Sequence, residues 1–215
     1  DIEEAAIAEG SMQLEEAADE AIVAVWHAHQ AQAWGANIIT GFESILTDAG
    51  LLTRPASPPA ICFLDITGYT RLTQERGDAA AARLAEDLGQ VVRQTSVSHG
   101  GRPVKWLGDG VMLRFNNAGD AAVAVRELMA AISAHGLPPA HSGIASGRFV
   151  VRDGDVYGHT VNLAARIAAY SGAGELLVSA AAAESLATTG LISEDAGKVP
   201  LKGIPEPVGL VRIRG

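Results

Sequence analysis

The sequence predicts an α+β fold with a ferredoxin-like βαββαβ core, preceded by an N-terminal helical segment. Three observations lead to this prediction. After residue 57, short apolar runs alternate with segments that have helical spacing. An Asp-Gly turn at 109–110 joins two of these runs into a hairpin. A proline-rich linker at 54–59 separates all of these elements from the helical sequence of residues 1–56.

The composition is that of a globular protein. Of the 215 residues, 48% are hydrophobic and 19% are charged, which excludes disorder as the main state. No run of 18 or more apolar residues occurs, so no membrane-spanning segment is predicted. The single cysteine, Cys62, excludes an internal disulfide, and a cytoplasmic location is expected. Because residue 1 is Asp, we expect the sequence to come from a longer protein.

Residues 1–56 differ from the remainder in charge. They hold ten acidic residues and one basic residue, a difference that equals the chain's whole net charge of −9. Helical spacing at 13–30 and 36–49 predicts a helical lead-in that dimerises or regulates the following domain. Residues 57–215 are neutral, and such a domain lacks the basic surface that binds nucleic acid.

The elements of the second domain follow in βαββαβ order with further elements appended. A fully apolar run predicts the first strand, and glycine pairs or alternating patterns delimit the others. The predicted strands are 60–64, 103–107, 111–115 and 175–179, with a strand–turn–strand unit at 141–152. The predicted helices are 78–98, 119–134 and 159–170.

Two acidic residues are candidates for a metal site. Asp65 follows the apolar first strand, and Asp109 lies at the tip of the hairpin that neighbours this strand in a βαββ core. Two converging carboxylates repel each other unless a cation lies between them, and oxygen ligands suit Mg²⁺ or Mn²⁺. The alternative is that Asp65 caps the following turn and Asp109 only supplies turn geometry.

Two further segments carry polar groups suited to a nucleotide. The segment Ile66-Thr67-Gly68-Tyr69-Thr70 is a glycine-containing turn before helical sequence, where backbone amides can bind phosphate. Asn162 and Arg166 lie four residues apart and so share one helix face. Together they could hold a ribose and a phosphate that gains charge, although an exposed polar face is the alternative explanation.

Three blocks of sequence resemble a known family. Residues 63–70 (FLDITGYT), 105–110 (KWLGDG) and 157–166 (YGHTVNLAAR) closely resemble the signature blocks of class III adenylate/guanylate cyclase catalytic domains, in the family's order. The resemblance covers residues 57–215 and leaves 1–56 outside. Two departures are small: Tyr69 stands where phenylalanine is more usual, and Trp106 is bulkier than the common residue.

The resemblance implies a role for each matching residue. It implies that Asp65, Asp109 and the carbonyl of Ile66 bind two divalent cations, Mg²⁺ or Mn²⁺. It implies that Asn162 orients the ribose and that Arg166 stabilises the transition state. The substrate-binding residues that it implies are Lys105, Asp155, Lys202, Arg148, Thr67, Gly68, Tyr69 and Thr70.

The resemblance also implies an activity and an assembly. A homodimer packed head to tail would convert ATP to 3′,5′-cyclic AMP and pyrophosphate. The match of Lys105 and Asp155 favours ATP, because a lysine donates to adenine N1 and an aspartate accepts from the 6-amino group. The alternatives are a guanylate or dual-specificity cyclase and a catalytically silent nucleotide-binding signalling module. A nucleic-acid polymerase with the same core is disfavoured by the neutral charge.

Overall fold

The structure is a computed structural model that describes residues 57–152 and 154–214. The helices predicted at 13–30 and 36–49 therefore lie outside the described residues. Residues 57–150 and 155–214 belong to one compact unit. Within the described part, no helix has the length and apolar character needed to cross a bilayer.

Nine strands and five α-helices make up the described chain. The strands are β1 (Ala60–Ile66), β2 (Arg102–Leu107), β3 (Gly110–Phe115), β4 (Ala140–Ser146), β5 (Val150–Arg152), β6 (Asp155–Tyr157), β7 (Leu176–Ser179), β8 (Ile192–Val199) and β9 (Val208–Arg214). The helices are α1 (Tyr69–Arg76), α2 (Asp78–Ser98), α3 (Ala118–Ala134), α4 (His159–Tyr170) and α5 (Ala183–Leu186), with a 3₁₀ turn at Ala180–Ala182 before α5.

Seven strands form the central sheet in the order β2-β3-β1-β4-β7-β9-β8. Strand β1 lies between β3 and β4 and is antiparallel to both. The first four strands and the intervening helices α2 and α3 form the predicted ferredoxin-like core, which is confirmed. Strand β7 joins β4 in parallel, and β9 and β8 extend the sheet by antiparallel pairing.

The sheet is covered on both faces. Along β1, alternate side chains from Ala60 to Ile66 belong to the apolar core shared with α2 and α3. Helix α4 packs against β1 and β4 on the other face. It lies so close that a Cβ on Gly143 would come within 2.1 Å of the backbone nitrogen of Ala168. The contact at Gly143 therefore fixes the position of α4 on the sheet.

The two outer strands are irregular. Strand β2 contains Pro103 and a shift in register before Lys105, as expected of an edge strand. Strand β8 shifts register between Asp195 and Gly197 and is mostly exposed. Its Glu194 carboxylate accepts a hydrogen bond from Arg214 Nε at 2.8 Å.

The predicted boundaries agree closely with those of the structure. Helices α2 and α4 have the predicted bounds, 78–98 and 159–170. The first strand runs two residues further than predicted, so Asp65 lies within β1 rather than after it. The sequence pattern assigns no bounds to strands β6, β8 and β9 or to helices α1 and α5.

Candidate active site

Asp65 and Asp109 lie close together at one end of β1. Asp65 pairs in register with Gly110, the first residue of β3, so its carboxylate lies beside the β2–β3 turn that carries Asp109. A Cβ on Gly110 would come within 3.0 Å of Asp65 Oδ1, so a glycine here leaves room for the carboxylate. The convergence predicted from the topology is confirmed.

The electrostatics of this pair fit a divalent cation. Burial and the negative charge of Asp109 raise the pKa of Asp65, while His141 and the Ile66 amide oppose the rise. A cation between the carboxylates would relieve this repulsion. No group of three or more His, Cys, Asp or Glu side chains among the described residues is arranged to hold a metal. Two carboxylates are nevertheless enough for Mg²⁺, which is usually completed by substrate phosphates.

The Asp65 carboxylate is open to solvent. Although the residues before it in β1 are apolar, the Asp65 side chain is 44% exposed. Its Oδ1 accepts a hydrogen bond from the Ile66 amide at 3.1 Å, and its Oδ2 is directed toward the side chain of His141. The carboxylate is therefore held on one side and open on the other.

The glycine-containing turn directly follows this carboxylate. Gly68 has a φ of +73°, a conformation that favours glycine. Its carbonyl accepts from the Leu72 amide at 3.1 Å, so α1 begins immediately after the turn. The Thr67 amide donates to the Pro139 carbonyl at 3.1 Å. Tyr69 and Thr70 are the first residues of α1, and a helix begins with backbone amides that have no partner within the helix itself.

Lys105 and Asp155 form an ion pair. Lys105 Nζ donates to Asp155 Oδ2 at 2.5 Å, and the Val156 amide donates to Oδ1 at 2.8 Å. Burial would raise the pKa of Asp155, but the bonds from Lys105 and Val156 outweigh it and lower this pKa. The lysine side chain is 46% exposed, so the pair presents a donor and an acceptor side by side to solvent.

Helix α4 carries Asn162 and Arg166 as two exposed residues. The helix begins after Gly158, whose φ is +135°, and the Asn162 amide closes the first turn on the Gly158 carbonyl at 3.2 Å. Because the Gly143 contact fixes the helix on the sheet, the backbone positions of both residues are fixed as well.

Arg148 lies in the loop that follows β4. Its carbonyl accepts a hydrogen bond from the buried Thr160 hydroxyl at 2.8 Å. A Cβ on Gly147 would lie 2.7 Å from that hydroxyl oxygen, and Gly147 has a φ of +152°. The backbone at Arg148 is therefore tied to the first turn of α4, while its side chain is exposed.

Lys202 lies in a tight turn between β8 and β9. The Ile204 amide donates to the Leu201 carbonyl at 3.0 Å, and Gly203 has a φ of +77°, as a type II turn requires. Leu201 is buried and anchors the turn, while Lys202 is exposed. The structure does not join Lys202 directly to the other candidate residues.

Four candidate residues share one further property. Within the part of the chain that the structure describes, Arg148, Asn162, Arg166 and Lys202 make no side-chain hydrogen bond or ion pair. Three of them are positively charged. Exposed cations without a partner are free to bind an anion, so the three cationic side chains are candidate anion-binding groups.

His141 is a site residue that the sequence analysis missed. It is the cross-strand neighbour of Asp65 on β4. No motif marks it, because the contact depends on the register between β1 and β4, and the two residues are 76 positions apart in the chain. Only the topology, with β4 beside β1, could have pointed to it.

A cavity of about 430 Å³ opens beside Asp109, on the face of the sheet that carries α2. Trp106 and Tyr69 line it together with one face of α2. Along β2, side chains alternate between the faces, so Trp106 points away from the face that carries Lys105. The bulk of Trp106 therefore does not obstruct the Lys105–Asp155 pair.

The chain is similar to known adenylate and guanylate cyclases. The profile of the adenylate and guanylate cyclase catalytic domain matches residues 141–212. An adenylate cyclase of Streptomyces coelicolor is 34% identical over 79% of this chain and 43% of its own length. An adenylate cyclase of Streptomyces griseus is 31% identical over 80% of this chain and 41% of its own length. The chain thus spans less than half the length of these relatives.

A solved structure shows the same fold. The adenylyl cyclase CyaB from P. aeruginosa superposes with a TM-score of 0.60 and 25% identity, over 74% of this chain and 94% of that one. The fold is a mixed α+β fold that carries paired carboxylates beside a glycine-containing turn. The chain belongs to the class III adenylate and guanylate cyclase catalytic-domain family.

Proposed function

We propose that this chain is an adenylate cyclase, which converts ATP to 3′,5′-cyclic AMP and pyrophosphate. The ribose 3′-oxygen attacks the α-phosphorus, the bond to the β-phosphate oxygen breaks, and the hydroxyl proton passes to solvent. The observation that carries the proposal is the Lys105–Asp155 pair, which offers a donor and an acceptor 2.5 Å apart. Adenine presents the complementary acceptor, N1, beside the 6-amino donor.

The proposed roles of the other residues follow from their chemistry. Asp65, Asp109 and the Ile66 carbonyl would hold two divalent cations, Mg²⁺ or Mn²⁺. Such ions, when bound, would favour ionisation of the 3′-hydroxyl and neutralise phosphate charge. The turn Thr67–Thr70 would bind phosphate oxygens through the amides that follow Thr67, because the Thr67 amide already donates to the Pro139 carbonyl.

The exposed polar residues would act on the ribose and on the charge of the reacting phosphates. Asn162 would orient the ribose through its amide. Arg166 would donate to oxygens that gain charge in the transition state, which lowers the barrier more than it strengthens ATP binding. Arg148 and Lys202 would bind the terminal phosphates. Support for these roles is that all four side chains are exposed and lack partners among the described residues.

We also propose that the active unit is a head-to-tail homodimer with two equivalent sites. Metal-binding residues and Arg148 would come from one protomer, and Lys105, Asp155, Asn162, Arg166 and Lys202 from the other. The alternation along the strands supports this, because Asp65 and Lys105 both point to the sheet face that carries α4. Residues 57–215 would be the catalytic domain, and residues 1–56 would be a regulatory or dimerising segment.

The first experiment measures cyclic nucleotide formed by the 215-residue chain from ATP or GTP, with Mg²⁺ or Mn²⁺, over a series of protein concentrations. Cyclic AMP formation with specific activity that rises with protein concentration would support the proposal. Cyclic GMP as the main product would make the chain a guanylate cyclase. No product from folded, dimeric protein would indicate a silent nucleotide-binding module.

A mixing experiment tests the shared site. Asp65→Ala and Arg166→Ala proteins should each be inactive alone, because each lacks one half of every site. In a head-to-tail dimer, a mixed pair regains one intact site, so mixing should restore roughly a quarter of the wild-type rate. A mixture that stays inactive despite subunit exchange, shown by fluorescence energy transfer between labelled chains, would contradict the head-to-tail arrangement.

A further inference from the structure

His141 lies against the candidate metal site but has no part in the proposed reaction. It occupies β4 directly opposite Asp65, and its side chain is only 18% exposed. An imidazole that is mostly removed from water needs polar partners for its ring nitrogens. The two partners of His141 are both residues of the candidate site.

Each ring nitrogen faces a different part of the site. Nδ1 is hydrogen bonded to the Thr67 hydroxyl at 3.2 Å. Nε2 faces Asp65 Oδ2 across 3.9 Å, close enough for electrostatic attraction but too long for a direct hydrogen bond. The other carboxylate oxygen, Oδ1, is occupied by the Ile66 amide. His141 therefore bridges the carboxylate and the turn that follows it.

The arrangement does not make His141 a metal ligand. The described residues contain no group of three His, Cys, Asp or Glu side chains arranged to hold an ion, although Asp65, Asp109 and His141 are neighbours. A residue that lies against a ligating carboxylate, and is itself fixed by a hydrogen bond to another residue, orients that ligand. Loss of such outer contacts typically weakens metal binding about 10–100-fold.

We propose that His141 is a positioning residue that holds the Asp65 carboxylate and the Thr67 turn in one arrangement, and thereby strengthens binding of the divalent cation. This inference rests on the proposed function, because it takes Asp65 to be a metal ligand. Loss of the His141 side chain should therefore weaken binding of the cation. The rate at saturating cation should change much less, since His141 contacts no reacting atom.

Three substitutions separate the two contacts. His141→Leu removes both. His141→Asn keeps a polar atom near the position of Nδ1, and His141→Gln keeps one near the position of Nε2. His135→Gln is the matched control, because His135 is exposed at the end of α3 and bonds only its own helix, at the Ala131 carbonyl. Circular dichroism and thermal unfolding would show which variants fold.

Cation binding is measured directly by electron paramagnetic resonance of free Mn²⁺, with the protein and 3′-deoxy-ATP, which lacks the attacking hydroxyl. The Mg²⁺ concentration that gives half-maximal cyclase rate is a second readout. We expect His141→Leu to weaken Mn²⁺ binding about 10–100-fold. His141→Gln should recover most of this loss and His141→Asn less, while His135→Gln should match the wild type.

Two results would overturn the inference. One is wild-type Mn²⁺ affinity in His141→Leu. The other is a Gln variant no better than the Leu variant, which would make the role one of packing alone. If His141→Leu does not fold, the comparison of the Asn and Gln variants decides, because equal affinities would also contradict the role proposed for Nε2.

Asp65→Asn distinguishes this inference from the proposed function. If Asp65→Asn binds Mn²⁺ as tightly as the wild type, the proposed metal site is wrong and the inference fails with it. If Asp65→Asn loses the cation while His141→Leu keeps it, the metal site stands and only the role of His141 is wrong.

Discussion

The two faces of the central sheet differ in the side chains that β1 directs toward them. On the face toward α2 and α3, alternate residues of β1 from Ala60 to Ile66 are buried and apolar. On the face toward α4, the same strand ends in Asp65, a partly exposed carboxylate whose pKa is raised. Because side chains alternate along a strand, one strand can stabilise the fold and hold the chemistry without either constraining the other.

This difference predicts which substitutions affect stability and which affect catalysis. The candidate site residues on the α4 face are partly exposed, and several lack partners among the described residues, so their replacement should leave the folded state intact. The residues of the apolar core between the sheet and helices α2 and α3 are buried, so their replacement should cost stability but leave the reaction unchanged. The five predictions below run from the largest expected effect on catalysis to the smallest.

Asp65→Asn should reduce cyclic AMP formation to the level of a sample without enzyme at any Mg²⁺ or Mn²⁺ concentration. The amide keeps the shape of the carboxylate but removes the charge that would bind the cation. Product is measured by chromatography, with the exposed Asp87→Asn as control. Substantial activity in the Asp65 variant would mean that this residue is only a turn cap.

Arg166→Ala should lower kcat on the order of 10³-fold, with little change in KM, because the guanidinium would act on charge that develops in the transition state. The temperature of thermal unfolding should not change, since Arg166 is exposed and unpaired among the described residues. Steady-state kinetics check this, with the exposed Arg83→Ala as control. A rise in KM alone would assign Arg166 to ground-state binding instead.

Leu128→Ala tests the other face. Leu128 is buried in the core between α3 and the sheet, so truncation should lower the free energy of unfolding by about 2–5 kcal/mol. The kcat and the half-saturating cation concentration of the folded protein should stay at wild-type values. Urea unfolding and kinetics give the two quantities, with the exposed Val97→Ala as control. A large change in kcat would show that the two faces are not independent.

Replacement of Cys62 should not change catalysis, and chemical labelling of its thiol should report on unfolding. Burial raises the pKa of this thiol from 9.0 to about 12, an effect only partly offset by its contact with Ser142. Labelling by iodoacetamide should therefore proceed through unfolding, so low concentrations of urea that destabilise the fold should speed it. Direct attack on the native thiol would instead proceed at a rate that low urea leaves unchanged.

The same shift predicts the alkaline dependence of stability. A thiol whose pKa is higher in the folded state stabilises the fold fully below pH 9.0, and this contribution is lost as the pH rises toward 12. Cys62→Ala should therefore reduce the loss of stability over this range. An unchanged pH dependence in thermal unfolding scans would contradict the assignment.

Much of this organisation follows from the sequence because local pattern decides it. Helical spacing gave the bounds of α2 and α4, and the Asp-Gly turn gave the β2–β3 hairpin. The order of elements then made Asp65 and Asp109 neighbours. The roles of Lys105 and Asp155 came from the family resemblance, and their ion pair, 50 positions apart in the chain, agrees with that match.

Other features depend on register, which local pattern does not determine. The meeting of His141 with Asp65 requires β4 to pair with β1 in one register and no other. The hydrogen bond between Thr160 and the Arg148 carbonyl depends on how closely α4 approaches its preceding loop. Strand β8 also lacks a clear alternating pattern, because most of its side chains are exposed.

Strand β8 ends the sheet with exposed charged side chains and a shift in register. A bent, charged strand is a poor template for a strand from another molecule. The sheet is therefore not expected to extend into a second molecule by strand pairing at β8. Association of two copies through the α4 face, as in the proposed homodimer, would stop at a closed pair instead of continuing into a filament, so solutions should stay clear at the concentrations that favour this pair.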